Sequence, residues 1–370
     1  MPPAPTPWLD RAATFCLTHK LRAPLLLAPM AGACPPALSM AVMRAGGMGA
    51  CGALLMAPPA IQAWVDAVRA GGPGPLQINL WIPDPPPRRD AAQETALREF
   101  LGRWGPAVDA QTASATPLDF DAQCEAVLAA RPDAVSSIMG LYPHAFVARL
   151  KAQGIAWFAN VTTVTEALAA QAAGADVIVA QGMEAGGHRG AFDAAQAEAA
   201  TVGLFALLPA VVDAVRVPVV ATGGIADARG VAAALLLGAS AVQIGTGFLR
   251  CPEAALPRAW ADALGQARPE GTRLTRAFSG RLGRSLATAY VRAAAAPDAP
   301  PPAPYPVQRG LTQALREAAL KANDIERMQA WAGQSAALAR AQPAAELCND
   351  IWAQALTLIP QGQTWPHPSA

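Results

Sequence analysis

The sequence predicts an α/β fold in which a parallel sheet closes into an eight-stranded (β/α)8 barrel, and three observations predict it. Short apolar runs alternate with helical stretches from about residue 24 to about residue 250, the pattern of a parallel sheet covered by helices. There are eight such runs, the number that closes a TIM barrel. Glycine and polar residues gather at their carboxyl ends, the face on which α/β enzymes build active sites.

The expected strands are 25–30 (LLLAPM), 48–54 (MGACGAL), 76–82 (LQINLWI), 134–140 (AVSSIMG), 156–161 (AWFANV), 176–182 (DVIVAQG), 218–224 (PVVATGG) and 241–247 (AVQIGTG). Alanine-rich helical segments lie between them, among them PALSMAVMRAG, HAFVARLKAQG, TVTEALAAQAAG and ADARGVAAALLLG. Each of these ends in glycine, which caps a helix in the left-handed conformation. A doubly wound open sheet is the alternative architecture for the same pattern. Residues 83–133 read as an elaborated crossover carrying one or two helices. The proline-rich APDAPPPAPYP, 296–306, reads as an extended connector. Residues 308–358 carry Leu, Ala and Trp at helical spacing. The expected organisation is therefore a barrel over 1–295, with its insertion at about 83–133, followed by a connector and helical cap over 296–370.

Composition narrows the function classes. Hydrophobic residues make up 53% and charged residues 15%, which suits a large packed core rather than disorder. Lys plus Arg at 28 against Asp plus Glu at 27 gives a net charge of +1, no electrostatic footprint for nucleic acid or an anionic membrane. An anionic ligand must then be held by local groups. The six cysteines, Cys16, Cys34, Cys51, Cys124, Cys251 and Cys348, have no CxxC spacing, which argues against a zinc site and a disulfide framework. The N-terminus has no basic segment followed by an apolar core, and no apolar run reaches membrane-spanning length. A cytoplasmic protein, monomer or dimer, is expected. The mean hydropathy of +0.24 reflects alanine and buried elements.

At the strand ends, Ala28-Pro29-Met30 closes the first run, Asn79 sits in the third and Gln181 ends the sixth. Thr222-Gly223-Gly224 and Gln243-Ile244-Gly245-Thr246-Gly247 end the last two. Such glycine clusters are either ordinary turns or the place where barrels bind phosphate through backbone N–H groups. Two on consecutive strands favour phosphate. The loop QGMEAGGHRG, 181–190, sets His188 among glycines directly after a buried strand. A histidine there is a solvated side chain or a catalytic one.

Taken together, these segments resemble the nitronate monooxygenases, FMN-dependent TIM-barrel enzymes. The resemblance spans nearly the whole chain and rests on LLLAPMAGACPPALSMAVMRAGGMGACGAL, LQINLWIP, EAGGHRG, ATGGI, QIGT, TRAFSGR and WAGQSAALAR. The YP segment and WAGQ-AALAR resemble the branch acting on propionate 3-nitronate. Carried over by position, the resemblance implies that Asn79, Gln181, Gly186, Gly224, Gln243, Ile244, Gly245 and Thr246 contact FMN. It adds Met30 as an apolar contact near the ring, with Gln334 and Ser335 reaching over the flavin from the tail. The chemistry agrees. Amide side chains offer both donor and acceptor to the flavin's polar edge, and glycines with one hydroxyl suit the phosphate.

His188 matches the family's catalytic histidine. For a neutral nitroalkane it would remove the acidic C–H proton, and for a substrate already present as nitronate it would orient the anion. The resemblance implies electron transfer from nitronate to FMN, reaction with dioxygen, and release of a carbonyl compound and nitrite. The fourth strand ends SSIMGLYP, with Ile138 where a histidine is expected and His144 a few residues later. The branch is also expected to use tyrosines and a lysine near the substrate carboxylate. Tyr142, Tyr305 and Lys321 are candidates by position, and Arg189 is a candidate anion contact. An FMN-dependent NAD(P)H reductase, of the enoyl-acyl-carrier-protein or quinone reductase kind, is the alternative function. A flavin-free barrel lyase or isomerase, and a cysteine nucleophile at Cys251 without an evident base, are weaker ones.

Overall fold

In the computed structural model, residues 7–109 and 118–360 are described. The eight apolar runs form β1 (Leu25–Leu27), β2 (Gly49–Gly52), β3 (Leu76–Trp81), β4 (Ala134–Ile138), β5 (Ala156–Val161), β6 (Val177–Gln181), β8 (Val219–Thr222) and β9 (Ala241–Ile244). A two-residue strand outside the barrel, β7 (Gly187–His188), separates the sixth run from the seventh. The barrel strands are parallel and neighbour one another in the order β1-β9-β8-β6-β5-β4-β3-β2. A bridge between Leu26 and Met48 closes the ring. There the Leu27 N–H donates to the Met48 carbonyl at 2.9 Å and the Met48 N–H to the Leu25 carbonyl at 3.0 Å. The open-sheet alternative is thereby excluded.

The helices that precede or cover these strands are α1 (Pro7–His19), α2 (Pro36–Arg44), α3 (Pro58–Ala70), α4 (Ala91–Gly102), α5 (Phe120–Ala130), α6 (His144–Ala152), α7 (Val164–Ala172), α8 (Leu204–Ala214) and α9 (Ala228–Leu236). After β9 come α10 (Arg258–Gln266), α11 (Ala289–Ala293), α12 (Val307–Leu311), α13 (Gln313–Lys321) and α14 (Ala344–Leu358). None of the described helices is long and apolar enough to cross a membrane.

Strand residues alternate between two cores, as a side-chain period of two requires. Leu25, Leu27, Ile78, Leu80, Ile178, Ala180, Val242 and Ile244 pack outward against the helices. Leu26, Met48, Phe158, Val179 and Val220 fill the amino-terminal half of the barrel. That end is stoppered by α1, an element the sequence reading did not assign: Phe15 is buried, and the His19 ring meets the Phe158 ring edge-on at 5.2 Å.

The crossover over 83–133 carries two helices, α4 and α5, with Asp90 and Asp119 accepting hydrogen bonds from the first-turn N–H groups. Its TASATP portion, 112–117, lies outside the described residues. On α4, Leu97, Phe100 and Leu101 build a second core with Phe278, Tyr290, Val307, Leu311 and Leu315. The last helix, α14, takes a place in the outer ring against α9 and α2. A small antiparallel sheet of β10 (Thr272–Thr275), β11 (Gly283–Leu286) and β7 stands at the barrel mouth.

Candidate active site

Two residues further along the same inward faces, the barrel interior turns polar. Asn79, Ser136, Asn160, Gln181, Thr222 and Gln243 floor a cavity of about 410 Å³ at the carboxyl ends of the strands. Several of these groups are spoken for. The Asn79 amide donates to the Ser136 hydroxyl at 3.1 Å and carbonyl at 3.2 Å, and the Thr222 hydroxyl donates to the Gln243 carbonyl at 2.9 Å. Asn160 Nδ2 is buried with no partner. That donor packs against the histidine loop, since a Cβ on Gly190 would lie 2.0 Å from it.

His188 enters this cavity from β7, whose residues pair with β11: Gly187 opposite Arg284 and His188 opposite Gly283. Gly187 sits at φ +75°, which glycine alone adopts without strain. Gln181 ties the loop down, its Nε2 donating to the His188 carbonyl at 3.0 Å and its Oε1 accepting from the Gly190 N–H at 2.8 Å. Three buried arginines brace it further. Arg189 donates to the Gln181, Thr162 and Ala200 carbonyls, and Arg284 to the Met183 carbonyl and the Thr272 hydroxyl. Arg281 donates to the Ala191 carbonyl and forms a two-pronged ion pair with Asp84. Glu184 accepts from the Leu204 N–H at the start of α8, where the helix dipole favours a carboxylate.

The imidazole lies 4.8 Å from the Trp81 ring and 4.9 Å from the Trp331 ring. Its Nε2 is 2.8 Å from the Ser279 hydroxyl, which in turn donates to the Arg281 carbonyl at 3.2 Å. With the serine hydrogen on that carbonyl, Nε2 carries the ring proton and the free lone pair is on Nδ1. Burial first, then the Arg309 and Arg281 guanidiniums, push the His188 pKa down to about 3. The ring is neutral at any ordinary working pH.

The tail closes the far side. The Gly333 N–H donates to the Thr246 hydroxyl at 3.0 Å, and the Gln334 N–H to the Glu184 carbonyl at 2.9 Å. Gly186 is wedged there, since a Cβ on it would lie 2.6 Å from the Ala332 carbonyl carbon and 2.9 Å from Thr246 Oγ1.

Met30, Asn79, Gln181, Gly186, His188, Gly224, Gln243, Gly245 and Thr246 therefore all line one cavity, with Ser335. Ile244 turns its side chain outward and its carbonyl accepts from the Ala28 N–H at 2.9 Å. Ile138 lines the cavity, while His144 is exposed at the start of α6.

Three substrate candidates and one anion contact need correction. Tyr142 is buried outside the cavity beside Phe146 and Trp157, its hydroxyl donating to the Ser136 carbonyl at 2.9 Å. Lys321 is exposed at the end of α13, where an ammonium keeps its hydration. Tyr305 stands one layer back, stacked on Trp81 at 4.9 Å. Arg189 holds backbone carbonyls and is 3% exposed, so it meets no ligand. Cys251 is buried, and burial pushes its thiol up to about 12, which removes it as a nucleophile.

A family model described as nitronate monooxygenase matches residues 15–354. The nitronate monooxygenase of Pseudomonas aeruginosa is 41% identical over 336 residues, covering 90% of this chain and 95% of that protein. This chain belongs to the nitronate monooxygenase family. A crystal structure of nitroalkane oxidase from Streptomyces ansochromogenes superimposes with a TM-score of 0.84 at 36% identity, over 92% of this chain and 98% of that one. FabK from Thermotoga maritima follows with a TM-score of 0.71 at 25% identity, over 93% and 96%.

Within this nitronate monooxygenase framework, the cavity wall holds two residues that the sequence reading missed, Arg309 on α12 and Arg316 on α13. An arginine on a short helix after a proline-rich connector reads as solvated, and only the fold of the tail onto the barrel turns these two inward.

Proposed function

We propose that this protein oxidises alkyl nitronates with dioxygen to a carbonyl compound and nitrite, using FMN, with propionate 3-nitronate as the type of substrate. The observation that carries the reading is the setting of His188: a neutral imidazole on a rigid loop, facing a polar-floored barrel cavity in a nitronate monooxygenase chain.

The residues present fit FMN. The amide side chains of Asn79, Asn160 and Gln243 on the cavity floor suit a ring edge rich in donors and acceptors, with Gln181 fixing the loop beside them. Gly223 and Gly224, at φ +110° and +71°, leave backbone open to a phosphate, together with Gly245 and Thr246. The Thr246 hydroxyl accepts from Gly333 and keeps its own hydrogen to donate. FMN, when bound, supplies the electron acceptor for the nitronate and the centre that reacts with dioxygen.

The protein's residues do the positioning. A nitronate has already lost its carbon-bound proton, so His188 need not act as a base. An imidazolium beside Arg281 and Arg309 is disfavoured, and a base pushed down to about 3 is badly matched to deprotonating a neutral nitroalkane near pH 7. Neutral His188 instead orients the nitronate, while Trp81, Trp331 and Ile138 exclude water around it.

The test is oxygen uptake and nitrite release with propionate 3-nitronate, beside anaerobic mixing with NADPH. Nitronate-dependent uptake with a flavin that NADPH leaves oxidised is the expected result. Rapid bleaching by NADPH without nitronate turnover would replace this reading with the reductase one.

A further inference from the structure

We infer that Gln77, fully buried beneath the cavity floor, is a positioning residue that fixes which end of the Gln243 carboxamide faces FMN. The inference rests on the FMN reading of this cavity and is independent of the substrate oxidised there.

At the seam that closes the barrel, β1 and β2 share a single bridge, Leu26 to Met48. A parallel ladder would next take the Ala50 N–H to the Leu27 carbonyl, but that N–H donates to the Ser39 hydroxyl at 3.2 Å. The Leu27 carbonyl is left to the Gln77 side chain, whose Nε2 donates to it at 3.3 Å. A backbone carbonyl can only accept, so it settles which end of the Gln77 amide lies against it, the two ends being alike in shape. The same Nε2 stands 3.2 Å from the Gln243 amide, and the Gln243 atom facing a donor must be the acceptor, Oε1. Gln243 Nε2 is therefore the opposite end. Gln243 is 7% exposed and lines the cavity, and its Nε2 is open to that cavity with no hydrogen bond to a described residue.

Asn79 is fixed in the contrary sense. Its Nδ2 donates twice into Ser136, to the hydroxyl and to the carbonyl, which leaves Oδ1 as the end for a ligand. The floor thus shows an acceptor at Asn79 and a donor at Gln243, a pairing that suits a ring edge alternating N–H and carbonyl groups. Gln77 Oε1, meanwhile, is buried with no partner. A methionine would fill the same space without that cost, so a polar group kept in the apolar layer points to a task beyond packing. A fixed donor also favours the ring form that carries more negative charge, the reduced one.

Gln77→Met is the test, read in FMN-free and FMN-loaded protein. With the Gln243 amide released, FMN affinity should fall roughly 3–10-fold. Reduced FMN should lose more than oxidised FMN, seen as a lower flavin midpoint potential. The FMN-free variant should resist urea as well as the wild type, because the orphaned oxygen is gone. Added to Gln243→Met, Gln77→Met should weaken FMN binding no further, since it acts through that residue. Unchanged FMN affinity, or a loss that adds to that of Gln243→Met, would overturn the inference. A stability loss with FMN affinity intact would assign Gln77 to the fold and overturn it as well. Gln243→Glu leaves the buried seam in place and carries the test if Gln77→Met does not fold. It replaces the donor alone and should weaken FMN binding about tenfold or more; wild-type affinity would mean that an oxygen already faces the cavity, which defeats the inference. Wild-type protein that binds FMN without oxidising nitronates defeats the functional reading alone, and wild-type protein that takes up no FMN defeats both.

Discussion

The two halves of the barrel interior are built by the same strands and differ by a step of two residues. Phe158 and Asn160 share the inward face of β5, Val179 and Gln181 that of β6, and Val220 and Thr222 that of β8. The first of each pair packs in the plug sealed by Phe15, Val179 also reaching the cavity wall, and the second belongs to the floor of the cavity. One end carries stability and the other carries chemistry, and a strand serves both because successive inward residues report to different layers. Variants at the two ends should accordingly separate folding from turnover.

The largest expected effect is at the cavity end. His188→Ala should lower kcat/KM on nitronates by about 10²–10³ through loss of a preorganised contact, with little change in thermal midpoint. A midpoint collapse would mean that the ring serves the fold instead. The mirror experiment is Phe158→Ala, which should cost about 3–5 kcal/mol in urea unfolding while the remaining folded enzyme keeps its kcat. Lost activity in the folded fraction would show that the layers are coupled. Gly186→Ala pushes a methyl into Ala332 and Gly333 and should cost about 1–3 kcal/mol, read as a lower flavin-to-protein ratio after gel filtration. The smallest effect is in pH dependence. His188 in the folded protein is pushed to about 3 from an ordinary 6.5, so below pH 6.5 the unfolded chain binds the proton more readily. Its neutral burial should therefore weaken the apo protein progressively as pH falls from 6.5 toward 3. Urea unfolding of His188→Asn should show a shallower decline, and identical slopes would argue against that depressed value.

Legibility in the sequence follows the same division. All eight barrel strands were readable because a strand buried on both faces is a continuous apolar run. The cavity residues were readable where a polar or glycine residue interrupts such a run at its end, as at Asn79, Gln181 and Gly224. What escaped was whatever depends on distant packing. The α1 stopper gives no local sign of entering a barrel, and the two-residue β7 is too short for any periodicity. Arginines show the limit most clearly. Arg189 looked like a ligand contact and proved to hold three carbonyls, whereas Arg309 and Arg316, which no motif singles out, line the site. A guanidinium's role is set by the acceptors that the fold brings to it, and these lie far away in sequence.

The tail adds a constraint of timing. Gln334 secures the histidine loop at the Glu184 carbonyl, Gly333 bonds Thr246 after the last barrel strand, and α14 fills its place in the outer ring between α9 and α2. During synthesis the strands, the floor and His188 all leave the ribosome before the segment that encloses them. The nascent barrel therefore passes through a stage with its histidine loop made but unclasped, because the tail residues that bond the loop and complete the cavity wall are added last.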